Sequence, residues 1–419
     1  MGVEPIETRR RPRILFVAEA VTLAHVARLL ALAERLDPRE FEIFFASDRR
    51  FGEPWLGKGF EVRAIRSIEP SRFLEALAAG SPLYDAATLE SYLSDDLALI
   101  EAVRPAAVVG DFRLTLSISA RMARVPYLAL VNAYWSPYAE KGFPMPELPI
   151  SRFLGVRMAT PLFRLAQPMA FAVHARPLDH LRKSRGLPPL GGDLRRTYTD
   201  ADWTLYADVP ELVPTSQLPP NHIYLGPIDW SPGIAPPIWW SEIQGEIPTI
   251  YATMGSSGRP GLLSKILDAL ADLPVQVIAA SAGKLIEGVI PPNARIEPYL
   301  PGKEAASRSM LVICNGGSPT TQQALGIGIP VLGLAENLDQ HLNMRGIESR
   351  GAGVLIRSED AGPSEIRSAV LRMMEDPSFG SAARELAQIF GRYDAHSRFR
   401  SVLEQALEAD QAAELRART

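Results

Sequence analysis

Along most of this chain a strand-length apolar run is followed by a helix-length amphipathic one, and no other feature restricts the fold as tightly. RILFVAEA (13–20) has little polar interruption, as expected of a strand buried on both faces. LAHVARLLALAERL (23–36) follows, with apolar residues at helical spacing. FEIFFAS (41–47), AAVVGDF (106–112) and PYLALVNA (126–133) read as further strands, with a helix through Arg124 between the last two. Strands joined by helices pair in parallel, so the first half predicts a doubly wound parallel α/β sheet.

Two stretches break the rhythm. Trp135 to about Pro189 is rich in proline and apolar helical pieces (RMATPLFRLAQPMAFAVHA) and reads as an insertion able to form a pocket wall. LGPIDWSPGIAPPIWW (225–240) is dense in Pro, Gly and Trp without any period, the composition of a linker. Alternation then resumes with TIYATMG (249–255), a helix around 260–272, VQVIAAS (275–281), ARIEPYL, LVICNGG (311–317), a helix and PVLGL (330–334). A second Rossmann-like sheet follows, and 380–409 is helical and amphipathic. A chain of 419 residues agrees with two domains.

Composition removes several function classes. The formal net charge of −4 offers no basic field for nucleic acid or for an anionic membrane. The single cysteine, Cys314, excludes internal disulfides and a Cys-based zinc cluster, and it fits a cytoplasmic protein. The polar N-terminus leads into an apolar stretch too short for a secretory or membrane segment. No G-x-x-x-x-G-K-[ST] or G-x-S-x-G occurs, and the first strand runs into AEAVTLAH rather than G-x-G-x-x-G. Asp200-Ala201-Asp202 has the form of a metal-binding D-x-D, but a turn before the next strand explains so short a match equally well.

The chemistry gathers at C-terminal strand ends, where open α/β sheets bind ligands. Gly255-Ser256-Ser257-Gly258 follows TIYAT, Gly316-Gly317-Ser318-Pro319-Thr320-Thr321 follows LVICN, and Asp339-Gln340 with Asn343 follows PVLGL. Glycine turns and helix N-termini present N–H groups that hold a diphosphate without any lysine. Each site alone could be a turn that needs small residues; three at strand ends of one domain favour a ligand.

From Pro248 to Gly353 the chain resembles the nucleotide-sugar domain of family 1, UDP-glycosyltransferase-like GT-B glycosyltransferases. The family pattern H-G-G-x-G-T-x-x-E-A-L-x-x-G-x-P, D-Q-x-x-N, G-x-G is met by NGGSPTTQQALGIGIP, DQHLN and GAG in the same order and spacing. TMGSSG and EPYLP match upstream. The first half resembles the family more loosely.

The resemblance implies a GT-B fold, two Rossmann-like domains facing a central cleft. An acceptor domain would span 1–224, a linker 225–245, a nucleotide-sugar domain 246–390, and a C-terminal helical segment 391–419 able to pack back on the first domain. It further implies that Tyr299 stacks on the base and that Leu300 offers backbone groups to the base edge. Gly255 and Ser256 would line the diphosphate, while Gly316, Gly317, Ser318 and Thr320 would hold phosphate oxygens. Asp339 and Gln340 would bind sugar hydroxyls, with Asn343 nearby. His25, just beyond the first strand, stands where the family keeps its base, and Asp111 matches its carboxylate partner. Imidazole suits this task because it titrates near working pH.

Two positions depart from the pattern. Asn315 replaces a histidine that donates to the diphosphate, and Gln323 replaces a glutamate that accepts both ribose hydroxyls. An amide has one acceptor oxygen where a carboxylate has two, which either lowers donor affinity or suits a deoxyribose and so a dTDP-sugar, while Asp339-Gln340 points to a donor with ordinary hexose hydroxyls. Pro319 for glycine and Ala335 for proline are further departures.

The expectation is an inverting hexosyltransferase that uses a UDP- or dTDP-sugar, no metal and no cofactor. Its acceptor would be a small, apolar molecule such as a natural product or lipid; peripheral membrane contact and oligomeric state stay open. The alternative is a non-catalytic GT-B homologue that binds or activates another enzyme. Asn315 and Gln323 favour the alternative, and the His25–Asp111 pair opposes it.

Overall fold

The computed structural model describes residues 11–51, 60–231, 233–243, 245–259 and 261–418. The first sheet contains β1 (Arg13–Ala18), β2 (Glu42–Ser47), β3 (Glu61–Ala64), β4 (Ala107–Asp111), β5 (Tyr127–Val131), β6 (Trp203–Tyr206) and β7 (His222–Tyr224). They are all parallel, in the order β3-β2-β1-β4-β5-β6-β7. The second contains β8 (Thr249–Thr253), β9 (Gln276–Ala280), β10 (Ala294–Glu297), β11 (Leu311–Cys314), β12 (Val331–Ala335) and β13 (Gly353–Arg357). It too is parallel, in the order β10-β9-β8-β11-β12-β13. Two doubly wound sheets are therefore present, as the alternation predicts.

Six helices accompany the first sheet: α1 (Leu23–Glu34), α2 (Pro70–Ala79), α3 (Ala86–Val103), α4 (Leu116–Ala123), α5 (Pro149–Ser184) and α6 (Leu194–Thr199). The second has α7 (Leu262–Leu270), α8 (Gly302–Ser307), α9 (Ser318–Gly326), α10 (Leu338–Ser349), α11 (Pro363–Glu375) and α12 (Pro377–Phe390), and α13 (Ala395–Arg418) ends the chain. β3 is exposed at all four positions, because it is an edge strand with no apolar face to bury. This is why its sequence carries no strand signal.

The apolar strands form the centre of each half. Phe16 of β1 is in register with Phe45 of β2 and Val109 of β4, and all three are buried. α13 returns to this core: Phe399, Val402 and Leu403 pack among Ile14, Phe16 and Phe45. Burying each of those three side chains contributes roughly 1.5–3 kcal/mol, enough to hold the C-terminal helix on the first sheet. Another apolar cluster, including Tyr206, Val209 and Leu212 with Leu342, Met344 and Ile347, joins the two halves.

Candidate functional site

In each sheet the order reverses beside the first strand, between β1 and β4 and between β8 and β11. Helices leave such a switch point on opposite sides and open a crevice there. His25 lies in the first turn of α1, directly after β1, and Asp111 ends the adjacent β4. His25 Nδ1 is 2.8 Å from Asp111 Oδ1. Nδ1–H donating to the carboxylate leaves Nε2 as the acceptor. Asp111 is fully buried, whereas the His25 side chain retains 19% exposure.

The turn behind this pair is closely packed and hydrogen-bonded. Phe112, in the left-handed region at φ 60°, stacks on the His25 ring with centroids 4.9 Å apart. The next residue, Arg113, is fully buried and donates to Glu19 (3.0 Å) and Asp96 (2.9 Å). Its guanidinium sits 3.6 Å over the Tyr92 ring. Burial pushes the Glu19 and Asp96 carboxyls above their ordinary values, against the opposing pull of Arg113.

Sequence reasoning missed Arg28. One helical turn after His25 it reaches the same carboxylate, with Nε 3.0 Å from Asp111 Oδ2 and Nη2 2.9 Å from Oδ1. Its Nη1 donates to Asn132 Oδ1 at 2.6 Å. A buried arginine three residues from a candidate base, inside the apolar run of LAHVARLL, is the signal that could have found it. Asn132 continues the chain by donating to Asp208 Oδ2 at 3.1 Å. Asp208 also accepts from Ala133 N at 2.6 Å and, from α9, Gln322 Nε2 at 3.3 Å. Burial holds the Asp208 carboxyl up at about 7. A polar chain thus runs from His25 to the second half of the molecule.

At the second switch point, Gly255 (φ 59°) and Gly316 (φ 79°) adopt left-handed conformations. A Cβ on Gly316 would also lie 2.6 Å from Met344 Cγ, so the turn demands glycine. Asn315 bridges the two turns: its Nδ2 donates to Ser257 Oγ at 3.1 Å, and its Oδ1 accepts from Gly317 N at 3.1 Å. The amide in place of histidine therefore uses both of its functions inside the protein. Pro319 lacks an N–H and Gly317 has spent its own. Ser318 and Thr320 then carry the N–H groups left open at the start of α9 among the described residues.

The remaining expected residues divide into two groups. Ser256 is exposed and Tyr299 is 41% exposed, while Leu300 beside it is buried. Asp339 faces the cleft, where its Oδ1 accepts from Trp135 Nε1 at 2.8 Å. Gln323 donates through Nε2 to the carbonyl of Trp230 in the linker, and its Oε1 lies against Gly302 at the start of α8. The other group serves the scaffold. Gln340 Oε1 accepts from Glu336 N and Asn337 N and completes a capping box, leaving only its amide N–H2 for a ligand. Asn343 is buried under the glycine turn, with Nδ2 donating to Gly316 O (2.8 Å) and Thr321 Oγ1 (2.9 Å). It is placed to fix that turn rather than to touch a sugar. Asp200 of the D-x-D is held by Arg121 and Arg182, and Asp202 accepts from Tyr127 N. Among the described residues no group of three or more His, Cys, Asp and Glu is placed to hold a metal ion.

A cavity of about 270 Å³ brings part of these residues together, while Gly255, Ser256, Tyr299, Leu300, Thr320 and Gln323 lie outside its lining. His25, Asp111, Gly317, Ser318, Asp339 and Gln340 border its cleft end. Its inner walls are apolar, with Phe73, Leu77 and Leu83 on one side and Phe163 and Phe171 of α5 on the other. The proline-rich insertion is thus a pocket wall, as its sequence suggests.

Comparison with known proteins agrees with this geometry. Residues 264–390 match the erythromycin biosynthesis protein CIII-like, C-terminal domain. A PGL/p-HBAD biosynthesis glycosyltransferase of Mycobacterium tuberculosis (strain ATCC 25177 / H37Ra) is 50% identical over 387 residues, covering 92% of this chain and 90% of that protein. A PGL/p-HBAD biosynthesis rhamnosyltransferase of the same strain is 50% identical over 383 residues, 91% of this chain and 85% of the relative. Among solved structures, a spinosyn forosaminyltransferase shares the fold, with a TM-score of 0.70, 19% identity, and coverage of 94% of this chain and 99% of that one. The chain belongs to the family 1, UDP-glycosyltransferase-like GT-B glycosyltransferases, enzymes that move a sugar from a nucleoside-diphosphate donor to a small-molecule acceptor.

Proposed function

We propose that this enzyme transfers a hexose, with inversion, from a dTDP-sugar to the hydroxyl of an apolar acceptor held in the cavity. The observation that carries the reading is the shared cavity, which has the His25–Asp111 pair, Ser318 at the start of α9 and Asp339 on its border. His25 Nε2 takes the acceptor proton as the oxygen attacks C1. The C1–O bond to phosphate breaks and its electron pair leaves with the diphosphate. Asp111 stabilises the imidazolium that forms. The N–H groups of Ser318 and Thr320, fixed before the reaction, stabilise the negative charge gathering on the diphosphate. Tyr299 stacks on the base, and Asp339 accepts from sugar hydroxyls.

Gln323 supports the choice of base. One N–H of its amide is engaged by Trp230, and its single acceptor oxygen, against the two of a carboxylate, suits the single 3′-hydroxyl of a deoxyribose. In this reading residues 1–224 hold the acceptor, 225–245 join the halves, 246–390 hold the donor and 391–419 brace the first half. Cys314, buried and unpaired, supports a reducing, cytoplasmic setting. A thermal-shift panel of dTDP-, UDP- and GDP-sugars tests the assignment. The dTDP compounds should raise the unfolding temperature most; a panel without any shift would refute the donor site.

A further inference from the structure

Helix α5 has an outer face that nothing among the described residues covers. Met158, Leu162, Leu165, Met169 and Val173 recur at steps of four, three, four and four residues, and so fall on one stripe of the helix. All five are exposed, Leu165 at 84% and Met169 at 71%. Phe153, beside the kink at Gly155, is 89% exposed. From Met158 to Val173 the stripe is about 22 Å long at the helical rise. A contiguous exposed apolar stripe of this kind marks an interaction surface.

Charge identifies the partner. Residues 148–178 contain four arginines, Arg152, Arg157, Arg164 and Arg176, and no Asp or Glu, in a chain whose net charge is −4. Arg152 pairs with Glu359. Arg157, Arg164 and Arg176 are exposed and have no ion pair among the described residues. By helical phase Arg176 falls within the stripe, and Arg157 and Arg164 share one flank roughly 80–100° from its edge, from which long arginine side chains can reach a surface that the stripe enters. Apolar side chains beside unbalanced arginines match the boundary between acyl chains and anionic headgroups. A face evolved for a second copy of this chain would instead need carboxylates to meet these arginines, and the stripe brings none.

We propose that the outer face of α5 docks the enzyme on an anionic lipid bilayer, lying in the headgroup region without crossing it. No helix among the described residues is long and apolar enough to span a membrane. The inner face of the same helix supplies Phe163, Phe171 and His174 to the cavity. An acceptor dissolved in the bilayer therefore meets the cavity wall on the element that touches the lipid. This second step rests on reading the cavity as the acceptor site, whereas docking does not, so the two can fail separately.

Sedimentation of the full chain with vesicles tests the docking. Vesicles of phosphatidylcholine mixed with phosphatidylglycerol should pellet the protein, vesicles of phosphatidylcholine alone should pellet much less, and high salt should release it. Leu165→Ser with Met169→Ser should weaken partitioning about tenfold or more. Arg157→Gln with Arg164→Gln should weaken it about fivefold per arginine, for the anionic vesicles only. None of these side chains borders the cavity, so unfolding temperature and transfer to a detergent-dissolved acceptor should match the unaltered protein. Equal binding by variants and unaltered protein, or no binding to anionic vesicles, would overturn the proposal. So would a concentration-dependent dimer that the same substitutions dissociate while vesicles recruit nothing.

Discussion

Trp135 Nε1 donates to Asp339 Oδ1 at 2.8 Å, linking the segment after β5 to the first turn of α10 across the cleft. The bond orients one carboxylate oxygen; in the proposed donor site the other accepts from a sugar hydroxyl. A hydrogen bond to a charged group contributes about 1.5–3 kcal/mol. Trp135→Phe should therefore raise the donor KM about tenfold and change kcat less, because Asp339 stays present but unanchored. Steady-state kinetics with varied donor would show it; an unchanged KM would mean that Asp339 is held by other contacts.

Asp111→Asn should lose stability, because it leaves the buried Arg28 without its carboxylate, yet still fold and bind nucleotide while kcat falls by about a thousandfold or more, since an amide neither selects the Nδ1–H tautomer nor stabilises the imidazolium. Single-turnover rates, measured beside nucleotide affinity, would separate the two effects. A loss confined to affinity would contradict the role.

Arg28→Met removes two hydrogen bonds from a fully buried carboxylate and one from Asn132. Leaving a buried charge short of its partner costs about 3–5 kcal/mol. Urea unfolding should show a loss of that order. A loss below about 1 kcal/mol would mean that Asp111 is satisfied by other groups.

His341 gives a pH-dependent prediction. Burial, helped by repulsion from Arg357, holds this imidazole down at about 4, and its Nε2 has no hydrogen-bond partner among the described residues. The unfolded chain takes up a proton near 6.5 that the folded chain refuses until about 4. The stability tied to His341 is thus complete above pH 6.5 and is lost as the pH falls toward 4. His341→Leu, which cannot titrate, should gain on the unaltered protein over that interval. Urea midpoints of both proteins at neutral pH and at about pH 4.5 would show it; a constant difference would refute it.

Sequence pattern reveals what depends on local periodicity. The buried strands, the two glycine turns and the positions of His25 and Asp111 at strand ends all follow from apolar runs of the right length. β3 stays hidden because an edge strand needs no apolar face. Arg28–Asn132 and Trp135–Asp339 stay hidden because they join residues 104 and 204 positions apart, beyond the reach of any period. Gln340 was legible in a different sense: N-L-D-Q is a capping-box pattern, and the structure uses the glutamine oxygen there. Asn343 shows that a residue can belong to a binding motif by supporting the turn that binds.

The central claim, that His25 is the base of a sugar transfer between the two sheets, is tested most directly by His25→Ala. Transfer from a dTDP-sugar to an apolar hydroxyl acceptor should vanish, while the thermal shift produced by dTDP remains that of the unaltered enzyme. Retained turnover in that variant would contradict the account.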